Sequence, residues 1–393
     1  MEGCRVDDRW QYNGLRAIVL ENDLLRTVIL AEHGAKIHEF VYKPRDRDLL
    51  YHNPRIVPSR PTYGANVDNW WTGGLDECIP CGWESHYRGE VYPVLGEVWS
   101  EPWNYEILER GPLEIRVHMW CLCRVAPLKV ERWMRLRSGE AVLHMEHVVT
   151  NVSIAEGEFN FLWGLHPGFA INPGMRIDLP AEDVTVDPAS PDFRPGAATY
   201  IWPQFLDLDG KTIDMRLVQG PEAGIWRLHF ARLKEGWLAL TDTVARLGIG
   251  LVFPVEVFPY SWIWLVYGGW RGLYCAGLEA WNGYPPKLEE AASSGRCSRL
   301  GRGETLKAQT MLVAYEDLES FRGIASRGTV GASQKPQKEL CNGDREHRTP
   351  KDRCPTSRAE GAKNLGSRCS MDNALLQPAG ADRVGQGRRL RCL

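Results

Sequence analysis

The chain has no run of basic residues leading into a short apolar core. It opens Met1-Glu2-Gly3-Cys4-Arg5-Val6-Asp7-Asp8, and no apolar stretch approaches the length of a membrane span. A secretory leader and a spanning helix are therefore not expected, and the cytoplasm is the expected compartment. A disulfide framework is missing as well, because the 11 cysteines are odd in number and scattered, which fits reduced thiols. Without a secretory signal, the sequon Asn151-Val152-Ser153 carries no weight. Cys78 and Cys81 with His86 nearby have a zinc-like spacing, but no second pair completes a tetrahedral set, so neither metal nor other cofactor is expected.

Aromatic residues are absent from 322–393, where Phe, Trp and Tyr do not occur at all. That stretch holds 15 basic and 7 acidic residues, a charge of +8 that leaves about −11 on the rest of a chain whose total is −3. It is too polar to bury the apolar area that would offset its ordering entropy. The segment 321–393 is expected to be a disordered basic tail, solvated rather than bound to nucleic acid. Residues 1–320 are expected to form the folded domain.

What is plentiful points to strands. The chain has 393 residues with 44% hydrophobic content, enough for a sizeable core, and its 16 tryptophans and 13 tyrosines lie in short segments broken by Gly, Pro, Asn or Asp. Ala17–Leu20, Leu24–Leu30 and Gly34–Phe40 read as three strands joined by tight turns. Longer strands follow at Ile115–Cys123, Leu128–Leu136 and Ala141–Thr150. In the last of these Leu143, Met145, His147 and Val149 share one face, with His144 and Glu146 on the other. His118, His144 and His147 read as strand-face hydrogen-bonding residues. Late apolar strands are expected at Gly248–Pro254, Tyr260–Tyr267 and Gly272–Trp281.

The densest aromatic and acidic region, 63–103, contains Asn69-Trp70-Trp71-Thr72-Gly73-Gly74-Leu75-Asp76-Glu77-Cys78-Ile79-Pro80 and Gly96-Glu97-Val98-Trp99. Indole faces beside carboxylates suit a polyhydroxylated ring, whose C–H bonds stack while its hydroxyls pair with acids. Taken one at a time, Trp70, Trp71 and Trp99 read as core indoles. Glu77 and Glu97 are the carboxylates expected to meet a sugar.

Two further stretches could carry chemistry. In Trp163-Gly164-Leu165-His166-Pro167-Gly168-Phe169 the proline cannot donate to a sheet ladder, which predicts that His166 lies at a strand end or sheet edge, with Trp163 as an apolar wall. In Leu278-Glu279-Ala280-Trp281 alternation puts Cys275, Glu279 and Trp281 on one face, and a carboxylate among apolar neighbours is raised toward a useful basicity. Imidazole and carboxylate facing one cleft, a sugar ring apart, would favour catalysis over simple binding.

The order of Asn151-Val152-Ser153, His166-Pro167-Gly168-Phe169, Leu278-Glu279-Ala280-Trp281 and Leu300-Gly301-Arg302-Gly303-Glu304 resembles the aldose 1-epimerase (galactose mutarotase-like) family over roughly residues 14–318. The resemblance implies an all-β fold, a β-supersandwich of two large antiparallel sheets. It also implies a metal-free reaction in which Glu279 takes the proton of the anomeric hydroxyl and His166 protonates the ring oxygen, so that the anomers of an aldose interconvert. Trp163 and Trp281, with Glu77 and Glu97, are the expected substrate-binding residues. The implied partner is a small-molecule sugar, with no nucleic acid and no membrane. In many relatives a histidine precedes the glycine of the Gly96-Glu97-Val98-Trp99 segment. Here it is Leu95, which removes one sugar contact and keeps two alternatives open: a non-catalytic carbohydrate-binding protein, and another isomerase or lyase reaction on the same fold.

If 1–320 is the folding unit, truncation after Ser320 leaves the melting temperature unchanged. A loss of several degrees in a thermal melt would show that the removed segment packs on the core.

Overall fold

Two antiparallel sheets, one of 12 strands and one of 8, carry the chain in the computed structural model, which describes residues 3–317, 321–324 and 330–332. The smaller sheet runs, edge to edge, through Arg176–Asp178, Trp237–Asp242, Leu247–Val252, Thr305–Glu316, Val142–Asn151, Leu128–Arg137, Glu114–Leu122 and Asn104–Arg110. Its strand Leu128–Arg137 alternates strictly between buried and half-buried residues, the signature of a sheet with one face on a core and one toward water. The parity expected for Leu143, Met145, His147 and Val149 holds, and all four are buried.

The centre of the larger sheet behaves differently. Strands Lys36–Tyr42, Gly74–Cys78, Gly164–Ala170, Tyr274–Trp281 and Tyr260–Tyr267 lie side by side in that order, and nearly every residue in them is buried. Their inner face meets the smaller sheet: Ile37, Leu75, Leu165 and Ala280 join Ile115, Val117, Met134 and Met145 in one hydrophobic core. Their outer face is covered by connecting loops rather than by a third sheet. Burial on both faces fits near-continuous apolar composition, and on the outer face polar groups are held away from bulk water.

Pro167 does not mark an edge. Strand Gly164–Ala170 is central, flanked by Gly74–Cys78 on one side and Tyr274–Trp281 on the other. The ladder to Tyr274–Trp281 pairs Leu165 with Ala280 and Gly168 with Gly277, omitting the two positions between. The sheet thus absorbs the missing donor by dropping rungs without a shift of register.

The short helix Leu288–Ser293 was not foreseen among the strands. Beyond the sandwich, Phe321–Ile324 pairs with Val330–Ala332, and the rest of the segment expected to be a disordered tail lies outside the described residues. Among the described residues no helix is long and apolar enough to cross a membrane.

Gly164 shows how tightly the outer face is packed. A Cβ there would stand 2.4 Å from the Trp281 indole. Gly164→Ala is expected to destabilise the fold by about 1–3 kcal/mol through overpacking, read as a lower urea midpoint at unchanged m-value.

Candidate active site

Residues opposite one another on neighbouring antiparallel strands point to the same face, with Cβ atoms about 4.5–5.5 Å apart. His166 lies opposite Asp76. Continuing the register that pairs Leu165 with Ala280 puts it opposite Glu279 on the other side, and Glu279 in turn opposes Trp262. From the register Ile37 to Leu75, Lys36 falls opposite Asp76. The outer face of the sheet therefore carries one unbroken row across five strands: Lys36, Asp76, His166, Glu279, Trp262.

Within that row His166 Nε2 stands 3.5 Å from Glu279 Oε1, with side-chain exposures of 10% and 3%. The two face the same side, as expected, but they are in contact rather than a sugar ring apart, because adjacent in-register strands bring them directly opposite. Trp281 Nε1 donates to the other carboxylate oxygen, Oε2, at 2.7 Å, and fixes the plane of the carboxylate. Burial raises the Glu279 carboxyl above its ordinary value, while the His166 imidazole and the Trp281 hydrogen bond pull it partly back. At the other end of the row Lys36 Nζ donates to Asp76 Oδ2 at 2.5 Å and to the Gly73 carbonyl at 2.8 Å.

Indoles lie on both sides of the His166–Glu279 pair, and glycines make room for them. One step along the strands, Gly74, Gly168 and Gly277 oppose one another in turn. A Cβ on Gly168 would be 2.7 Å from Trp71, and one on Gly277 would be 3.3 Å from Trp264. These two indoles meet edge to face at 5.2 Å, and Trp71 meets the His166 ring in the same manner at 5.9 Å. One step the other way, Trp281 covers Gly164 and stacks on Trp262 with centroids 3.7 Å apart and planes 10° from parallel.

The residues expected to bind substrate divide sharply. Trp281 belongs to the site, where it holds Glu279. Glu77 and Trp163 are fully buried on the inner face, with Trp163 Nε1 donating to Glu77 Oε1 at 3.0 Å. Arg132 Nη1 and His147 Nδ1 stand 3.4 and 3.3 Å from the Glu77 carboxylate, and His147 Nε2 bonds Thr310 Oγ1 at 2.9 Å. Burial pushes the Glu77 carboxyl up, but His147, Arg132 and Trp163 outweigh it and the net shift is downward. Glu97 is also fully buried and accepts the backbone N–H groups of Arg124, Val125 and Ala126 at 2.6–2.8 Å. The structure thus gives Glu77, Glu97 and Trp163 roles in holding the fold rather than in meeting a ligand. Leu95 is buried with φ of 61°, and its N–H bonds the Gly82 carbonyl beside the Trp262 ring. It sits at the Trp262 end of the site.

A depression of about 510 Å³ elsewhere is lined by Asp8, Arg16, Trp103, Tyr105, Arg110 and Trp120. It contains no imidazole, so the chemistry points to the His166 row instead. Among the described residues no cluster of three or more His, Cys, Asp or Glu could hold a metal; Cys78 and Cys81 are free thiols.

No family model matches the chain. Solved structures do. A candidate aldose 1-epimerase from Klebsiella pneumoniae matches with a TM-score of 0.63 at 14% identity, over 77% of this chain and 80% of the other. A galactose mutarotase-like protein from Clostridium acetobutylicum gives 0.56 at 12% identity over 81% and 100%. A galactose mutarotase related enzyme from Lactobacillus acidophilus gives 0.53 at 16% identity over 76% and 97%. The fold is galactose mutarotase-like.

On this galactose mutarotase-like sandwich the sequence reading missed Lys36, Asp76, Trp262, Trp264 and the site role of Trp71. The alternation Trp262-Ile263-Trp264 and the glycines at 164, 168 and 277 were the signals that could have found them. Because among the described residues Arg132 has no other carboxylate within ion-pair distance, Glu77→Gln strands a buried guanidinium. A loss of roughly 3–5 kcal/mol is expected, measured by denaturant unfolding and present with or without sugar.

Proposed function

We propose that the protein is a sugar-binding isomerase of mutarotase type, acting on the anomers of a free aldose or close derivative in the cytosol. The observation that carries this reading is the Glu279–His166 contact: a buried carboxylate, raised above its ordinary value by burial and held by Trp281, against an imidazole on the same face. The neighbours' names supply the reaction class, and the arrangement suits it. Glu279 Oε1 takes the proton of the anomeric hydroxyl while His166, protonated at Nε2, gives its proton to the ring oxygen. The bond from the anomeric carbon to the ring oxygen breaks, an open-chain aldehyde forms, and rotation before reclosure delivers either anomer. Reclosure returns both protons. The two oxygens share one carbon, so acid and base must both lie near it, and the 3.5 Å contact is tighter than the sugar-ring separation expected of a catalytic pair.

Access is the step the fold restricts. Trp71 is buried and Trp264 half-buried over the pair, so a sugar enters as Trp264 moves aside, and its C–H face then stacks on indole. A second reading, a sugar-binding protein without turnover, is favoured by this closure and by Leu95.

Turnover and binding separate the two. In an NMR or polarimetric screen of anomer interconversion, Glu279→Gln and His166→Asn are expected to lower kcat by about 100- to 10,000-fold while sugar binding persists. If a substrate is found and Glu279→Gln turns it over at the wild-type rate, the acid/base assignment fails. Activity falls on the acid side as Glu279 gains its proton, with a midpoint above that of an ordinary glutamate, because burial raises it. Exhaustive chelation leaves the rate unchanged, and recovery on adding metal to a chelated, inactive sample would overturn the metal-free scheme.

A further inference from the structure

The reaction makes no use of the long connection between Asn53 and Thr72, yet its construction is that of a lid. Residues 54–71 include Pro54, Pro58 and Pro61 and hold one short 3-10 turn, Val67–Asn69. A connection of this length with so little structure of its own is commonly functional. Its two ends are held together: the Asn53 N–H donates to the Thr72 carbonyl at 3.0 Å, and Asn53 Nδ2 to the Trp71 carbonyl at 3.1 Å. Closed ends make it an Ω-type loop. Its first half is pinned at Tyr63, whose ring lies 4.7 Å from the Arg124 guanidinium. Gly64 follows, with φ of 72° and open space where a Cβ would stand. In the second half the main-chain bonds close on themselves, from Asn69 to Asn66 and from Trp70 and Trp71 to Val67. Trp71, at the foot of that half, is the indole that meets both His166 and Trp264 edge to face.

What holds this half down comes from the other side of the pair. The tip 268–272 joins the strands that carry Trp264 and Glu279, and its Trp270 meets Trp264 edge to face at 5.4 Å. From the tip Arg271 reaches across to the loop. Its Nη1 donates to the Asp68 carbonyl and, at 3.1 Å, to Asn69 Oδ1, while Nη2 stands 3.6 Å from Asp68 Oδ2. Arg55, in the loop, donates in return to the Arg271 carbonyl. Arg271 has φ of 50°, in the left-handed region that residues other than glycine seldom occupy. Backbone strain of this kind persists where surrounding contacts hold it, and here those contacts join two loops above one site.

We propose that residues 64–71 are a lid over the His166–Glu279 pair and that Arg271 is its latch. Released from Arg271, the turn at 67–69 swings about Gly64 and the Asn53 clamp, draws Trp71 off the imidazole and opens a path to the pair. The latch thus regulates admission to the site, and it rests on the mutarotase reading only for the identity of what is admitted.

Access to His166 can be read without a substrate. Diethyl pyrocarbonate labels accessible imidazoles, and peptide mass spectrometry of the full-length protein gives a labelling rate for each histidine. Arg271→Asn removes the guanidinium but keeps a residue that tolerates the left-handed backbone. It is expected to speed the labelling of His166 about 5- to 30-fold, the worth of a charge-assisted hydrogen bond at a partly exposed position. The exposed His86 and the buried, inward-facing His147 are expected to label as in the wild type. Asp68→Asn removes the ion pair alone and is expected to give a smaller rise of the same sign, about 2- to 5-fold. This second variant decides if Arg271→Asn does not fold. Unchanged labelling of His166 overturns the lid, and so does a parallel rise at His147, which would report a general loosening of the fold. Glucose or galactose added at high concentration tests the mutarotase reading separately. If the substitution exposes His166 but neither sugar slows its labelling, that reading falls and the lid stands. If a sugar slows the labelling while the substitutions have no effect, the lid falls and the reading stands.

Discussion

In the central strands of the larger sheet, a residue's chemistry is decided by what lies opposite it. Five strands hold Lys36, Asp76, His166, Glu279 and Trp262 at one level, and each group meets its partner across a strand gap of fixed size. Glu279 can be buried because His166 and Trp281 compensate it, and Asp76 because Lys36 does. A one-residue slip in any of these strands would turn the row to the inner face and leave charges facing the hydrophobic core. The register therefore specifies the site as much as the residue types do.

The opposite face of the same strands carries a second buried network, built from Glu77, Arg132, His147, Trp163 and Thr310. It ties strand Gly74–Cys78 to the smaller sheet directly behind the row. Consecutive residues Asp76 and Glu77 thus serve two sides of one strand. Asp76 looks outward to the site, and Glu77 looks inward and anchors the strand that presents it.

That same pair marks how far the sequence could be read. That His166 and Glu279 share one face was legible, because a proline beside an imidazole, and a carboxylate in an alternating apolar strand, are unusual in themselves. Strand Val142–Asn151 announced its faces through alternation. Gly74–Cys78 did not: it is five residues long and buried throughout, so no period of two shows which of Asp76 and Glu77 turns outward. The choice fell on Glu77, one residue from the carboxylate in the row. Trp163 was mistaken in the same way, since it precedes Gly164 by one position and turns inward. Glu97 was chosen for its aromatic company, yet its environment is set by three backbone donors of the 124–126 turn, 27 to 29 residues later in the chain, which no local pattern reveals. Pro167 read as an edge because the sequence does not show that a central ladder can omit rungs and resume in register.

The line of glycines at 74, 168 and 277 has a mechanical consequence. Glycine in a strand contributes no side chain to stiffen the pleat and costs about 0.5–1 kcal/mol relative to alanine, and here three adjacent strands are weakened at the same level. Trp71 and Trp264 rest on Gly168 and Gly277 from outside, so the indoles beside the His166–Glu279 pair also pack on the glycine positions next to it. Moving Trp264 would therefore uncover the glycine level of the strands on which Glu279 and His166 are mounted.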